Sequence, residues 1–221
     1  MKRSIGSIFV VLLIVSAAQA QMRITEWMYN GAPTSNIGEF VEFTNIGSSA
    51  IDMTGWSFDD NTRTAGSQDL SAFGTVNPGE SVLFTDDTAA SFSTNWGLAS
   101  TVKVIGGNQN NLGRSDEINL YDAASTLADR LTYDDQGTGA VKGPRTNKVS
   151  ANPTALSDLG TNNASRWVLS AVNDRYGSWT SVAGEIGNPG KYVDVVPEPA
   201  TIVALLTGLF TIGIIARFQR R

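Results

Sequence analysis

A chain of 221 residues with net charge −5, no cysteine and no histidine excludes a great deal at once. It can hold no disulfide, thiolate nucleophile, lipid-accepting cysteine, Ser-His-Asp triad or His-ligated metal. Charged residues are only 17%, which with abundant Gly, Ser, Thr and Asn points to one exported all-β domain rather than a helical enzyme.

The elements follow in chain order. Lys2 and Arg3 precede an apolar run over residues 5–15, and Ala18-Gln19-Ala20 is a small-x-small cleavage site. Residues 1–20 therefore read as a signal peptide helix, cut to leave Gln21 as the new N-terminus. The first strand starts at Met22, with Met22, Ile24, Glu26 and Met28 on one face and Arg23, Thr25, Trp27 and Tyr29 on the other. Residues 40–43 form a second strand and residues 51–58 a third, with Gly55 permitting a bend. Asn77-Pro78-Gly79-Glu80 is a turn, followed by a strand at 82–84. A helix is expected over 87–96, capped by Asp86 or Asp87 and closed near Gly97. Strands at 102–105, 118–121 and 127–133 complete the set, the last two joined at 122–125.

Short strands with turns every ten to fifteen residues predict an antiparallel β-sandwich. The blocks Ile24-Thr25-Glu26-Trp27-Met28, Gly38-Glu39-Phe40-Val41-Glu42-Phe43-Thr44-Asn45 and Ile51-Asp52-Met53-Thr54-Gly55-Trp56 resemble the lamin-tail domain. Val76-Asn77-Pro78-Gly79-Glu80, the run 116–122 and Asp129-Arg130-Leu131-Thr132-Tyr133 follow in matching order. The resemblance implies an all-β, immunoglobulin-like sandwich over residues 21–133, and no single activity. Residues 134–163 read as a long polar loop. Trp167, Tyr176 and Trp179 then suggest that 134–195 is a loop-rich extension lying back on the sandwich.

The chain closes with Val196-Pro197-Glu198-Pro199, an uncharged stretch over 200–216, and Arg217, Arg220 and Arg221. Its 17 uncharged residues make about 25 Å of helix, a minimal transmembrane span with the arginines on the cytoplasmic side. Residues 196–221 resemble the PEP-CTERM sorting signal of exported bacterial proteins. That resemblance implies processing by an exosortase in a Gram-negative, biofilm-forming cell, and transient membrane insertion. A permanent anchor is the bland alternative. Without the two ends, the core holds 11 of the 16 basic and 20 of the 21 acidic residues, net −9. So acidic a surface argues against nucleic acid as a partner.

Asp59-Asp60 and Asp86-Asp87 are weak calcium candidates, alongside Asp134-Asp135, Asp116-Glu117 and Asp122. Turn formation and capping are the competing reading, and residues 108–113 fail the calcium-loop pattern at its fifth position. No cofactor is expected. Glu26, Glu39 and Glu42 could serve a secreted hydrolase, but Glu39 and Glu42 fall on opposite faces of a strand. They read instead as a solvated edge or structural hydrogen bonds. Neither G-x-S-x-G nor a P-loop occurs. Trp27 and Tyr29 offer an exposed aromatic platform for sugar, whereas Trp56 reads as core. Asn163-Ala164-Ser165 is a sequon read as a loop. The sequence thus points to a non-enzymatic, exported cell-surface or matrix protein making structural or adhesive contacts with polysaccharide or envelope proteins. A carbohydrate- or calcium-binding module is the alternative.

Overall fold

The computed structural model of the protein describes residues 21–31 and 38–193. The predicted signal peptide with Ala18 and Ala20, the sorting motif Val196–Pro199, the helix 200–216 and the basic tail lie outside these residues. In chain order the strands are β1 (Met22–Met28), β2 (Phe40–Asn45), β3 (Ile51–Asp52), β4 (Ser57–Asp59), β5 (Gln68–Asp69), β6 (Thr75–Val76) and β7 (Ser81–Thr85). A helix, α1 (Ala89–Trp96), precedes β8 (Lys103–Ile105), β9 (Ser115–Tyr121) and β10 (Leu127–Asp134). The last strands are β11 (Ala151–Pro153), β12 (Trp167–Leu169), β13 (Trp179–Thr180) and β14 (Ile186–Gly187).

A larger sheet runs in the order β12-β11-β1-β2-β7-β8, and a smaller one in the order β10-β9-β4-β5. The pairs β3–β6 and β13–β14 stand apart. Between the two sheets lies the main core, built from Ile24, Val41, Phe43, Phe58, Val82, Phe84, Ile118, Leu120 and Leu131 with Trp27 and Tyr133. The fold is thus mostly β and its strand pairs are antiparallel, with one exception. β7 and β8 run parallel, because α1 supplies the crossover that a parallel pair requires. Among the described residues no helix is long and apolar enough to cross a membrane.

The outer face of the larger sheet is covered too. Met28, Phe40 and Leu83 pack there under Phe92 and Trp96 of α1. Every residue of β2 is consequently buried, which a one-sided alternating strand would not allow.

Four expectations change. First, β1 does not alternate throughout. Its pairing with β2 shifts between Ile24 and Glu26, a bulge that swaps the faces beyond it. Trp27 and Tyr29 therefore join Met22 and Ile24 in the core, at 0% and 8% exposure, and form no exposed platform. Second, residues 51–58 form two strands. β3 pairs with β6 and β4 with β9; between them Asp52 Oδ1 accepts from the Thr54 amide at 3.0 Å, and Gly55 takes φ +78°. Third, α1 is capped by Thr88, whose Oγ1 accepts from the Ser91 amide at 3.2 Å. Asp86 and Asp87 are engaged elsewhere, accepting from the Gly38 amide at 2.8 Å and the Thr88 amide at 2.6 Å. Gly97 does close the helix, in the left-handed conformation at φ 62°. Fourth, residues 134–163 are no plain loop, since β11 pairs with both β1 and β12 inside the larger sheet.

Candidate functional site

The bulge in β1 sets Glu26 directly opposite Glu42 of β2. Both are at 0% exposure on the outer face, beside Thr25, Thr44 and Ser81. Residues 186–192 cross this polar patch as a strap. Glu26 Oε1 accepts from the Asn188 amide at 2.8 Å and from the Ser150 hydroxyl. Glu42 Oε2 accepts from the Gly190 amide at 2.7 Å, and its Oε1 accepts from the Thr25 hydroxyl at 2.7 Å. Ser81 Oγ accepts from the Tyr192 amide at 3.1 Å, and Asn188 Oδ1 from the Asn152 amide group at 2.7 Å. Gly187 lets the strap approach, because a Cβ there would stand 2.8 Å from both Glu26 Oε1 and Ser150 Oγ.

Two carboxyls held this deep cannot both ionise cheaply. Burial, then the neighbouring Glu42, pushes Glu26 well above the usual carboxylate range. Burial raises Glu42 to about 6, against the pull of the Thr25 hydroxyl and the Gly190 amide. Glu26 Oε2 is the oxygen of the pair with no hydrogen-bond partner. An unpartnered buried anion is costly, which favours the neutral form of Glu26.

A second acidic group lies at one end of the sandwich, where segments after β1 and β7 and before β2, β9 and β11 converge on an open cleft of about 350 Å³. Glu39 forms its floor at 3% exposure. Its oxygens accept from Asn108 Nδ2 at 2.9 Å and from the Leu112 amide at 2.6 Å. Burial, then Asp86, pushes Glu39 up to about 9, so it is a neutral acid at pH 7. Tyr29, Asp86, Arg114 and Arg145 line the walls. Asp135 organises the basic side: its carboxylate accepts from Arg114 Nε at 2.8 Å, Arg114 Nη2 at 2.7 Å and the Tyr29 hydroxyl at 3.2 Å. Arg145 Nε stands 3.9 Å from the same carboxylate. The Arg114 fork holds Asp135 below its ordinary range.

The three glutamates singled out in the sequence are thus divided. Glu39 reaches the cleft, while Glu26 and Glu42 meet under the strap. None is a solvated edge. The Glu26–Glu42 pairing escapes a one-strand reading, because it depends on the register between two strands. The candidate calcium ligands do not converge. Asp59 accepts from the Thr62 hydroxyl at 2.9 Å, the Thr64 amide at 2.9 Å and Asn110 Nδ2 at 3.2 Å, and Asp60 accepts from the Thr62 amide at 3.2 Å. Asp86 and Asp87 lie at the far end of β7, and no group of three acidic residues able to hold a metal occurs among the described residues. Trp56 is half-buried against the main core, and Asn163 caps a short 3-10 turn through Ser165.

The family model of the Lamin Tail Domain matches residues 15–135. No curated protein and no solved structure matches the chain.

Proposed function

The chain belongs to the lamin tail domain family, and from that premise we propose that it is an exported, non-catalytic cell-surface or matrix protein acting through structural or adhesive contacts. The family is one of structural immunoglobulin-like domains and is not typically enzymatic. One observation carries the non-catalytic reading. The cross-strand glutamate pair, Glu26 opposite Glu42, is sealed at 0% exposure and committed to holding the strap. An acid–base pair must reach its substrate, and this one cannot.

Export rests on the sequence. Residues 1–20 have the charge, apolar run and Ala18/Ala20 spacing of a cleaved signal. Val196–Pro199, the uncharged run 200–216 and Arg217, Arg220 and Arg221 have the order of a PEP-CTERM sorting tail. In this reading 21–133 is the lamin-tail-like sandwich, 134–195 its extension and 196–221 the portion handled by an exosortase. Intact-mass measurement on the chain recovered from cell-envelope fractions tests it. The expected species begins at Gln21 and ends near Val196–Pro199. A cytoplasmic species running from Met1 to Arg221 would contradict it.

A further inference from the structure

The cleft at the loop end of the sandwich has the composition of a ligand site rather than of a gap between loops. Its lining comes from five separate segments held by the two sheets, the arrangement in which rigid scaffolds present binding residues. Its lining carries both hydrogen-bond donors and acceptors. Asn30 Nδ2 donates to Asn147 Oδ1 at 2.9 Å, which leaves Asn30 Oδ1 as an acceptor and Asn147 Nδ2 as a donor. Asn111 adds an exposed amide of both kinds, Arg114 and Arg145 add donors, and Asp86 adds an acceptor.

Charge narrows the ligand. The guanidiniums of Arg114 and Arg145 both face Asp135, Asp86 adds a second carboxylate to the lining, and the neutral Glu39 adds no charge at pH 7. The cleft is therefore close to neutral on a core of net −9. A simple anion would be served by donors alone, and a cation by acceptors alone. An apolar peptide side chain would find only Leu112, at 6% exposure, and the edge of Tyr29. A ligand whose every polar group both donates and accepts fits this mixed lining, and a sugar hydroxyl is such a group.

We propose that this cleft binds a neutral, hydroxyl-rich saccharide, with Asn30, Asn111, Asn147, Arg145 and Asp86 contacting its hydroxyls and Arg114 held in place by Asp135. The proposal rests on the surface-contact reading above and names the ligand class for it. Binding of the full 221-residue chain to an array of neutral hexose tetrasaccharides, with tetragalacturonate and an acidic peptide alongside, tests it. Neutral tetrasaccharides should bind. Asn147→Ala and Arg145→Ala should each raise Kd tenfold or more with the melting temperature unchanged, and Val168→Ser on distant β12 should leave Kd as it is. An array blank for neutral sugars, binding only to tetragalacturonate or the peptide, or affinity indifferent to both cleft variants would overturn it. A blank array with a processed, surface-located chain removes this inference alone. An unprocessed cytoplasmic chain removes the reading beneath it, whatever the array shows.

Discussion

Two acidic groups, one on the outer face of the larger sheet and one at the loop end of the sandwich, do opposite things with similar residues. Glu26 and Glu42 lie on the outer face, closed over by residues 186–192, and their oxygens hold backbone amides of the strap. Glu39 and Asp86 lie at the loop end and border an open cleft. Burial raises the pKa in both places, so a shifted carboxyl alone does not mark a working site. What separates them is access: the strap makes the first group part of the fold, whereas among the described residues the second borders an open cleft.

The largest expected effect comes from breaking the sealed group. Glu42→Ala strips partners from the Gly190 amide and the Thr25 hydroxyl and opens a cavity. It should cost about 3 kcal/mol or more, lowering the melting temperature by roughly 6–12 °C. Asn147→Ala at the cleft rim should stay within about 0.5 kcal/mol. Equal losses from the two variants would erase the contrast. Glu26→Gln sharpens it, because an amide nitrogen placed at the unpartnered Oε2 mimics the protonated acid. We expect a change of less than about 1 kcal/mol at pH 6.

Next in size is the dependence on pH. A carboxyl whose pKa rises on folding holds its proton more tightly in the folded state. Its contribution is complete below the unfolded value and is lost as pH climbs through the folded one. Glu42, raised from 4.5 to about 6, and Glu39, raised from 4.5 to about 9, should therefore make the melting temperature fall from about pH 4.5 to pH 9. Glu117 acts oppositely. Arg63 lowers it from 4.5 to about 2, so its contribution holds above 4.5 and disappears as pH drops through 2. Melting curves from pH 2 to 10 should peak near pH 4–5, and Glu26→Gln should flatten the alkaline limb. A plateau from pH 5 to 9 would show that the buried acids ionise without cost.

The smallest effect tests the helix that covers the rest of the outer face. Thr88→Ala removes the side-chain acceptor for the Ser91 amide and should cost about 1 kcal/mol by thermal melting. Asp87→Ala, at one of the two residues the sequence offers as a cap, should cost less.

Legibility in the sequence followed the range of the interactions involved. The strand expected over 40–43, found as Phe40–Asn45, and the Gly97 stop are written in a few adjacent residues. The bulge at Thr25 is not, because nothing local distinguishes it from plain alternation. That one extra residue turned Trp27 inward and brought Glu26 opposite Glu42. Ala151-Asn152-Pro153 reads as loop because proline interrupts strands, yet it pairs on both sides, with Pro153 at its very end. The cleft residues, scattered from Tyr29 to Asn147, carry no spacing signal, since only the converging loops unite them. The cap expected at Asp86 or Asp87 falls instead to Thr88: Asp86 is drawn to the distant Gly38 amide, and Asp87 bonds the adjacent Thr88 amide.

Native-state hydrogen exchange at the Asn188 and Gly190 amides probes the sealed arrangement most directly. Both donate to carboxyls at 0% exposure, so they should open only with global unfolding, as slowly as the Phe43 amide at the centre of β2. Exchange several orders of magnitude faster than at Phe43 would mean that the strap lifts on its own. Glu26 and Glu42 would then be an accessible acid pair, and the division between structural and binding groups would not stand.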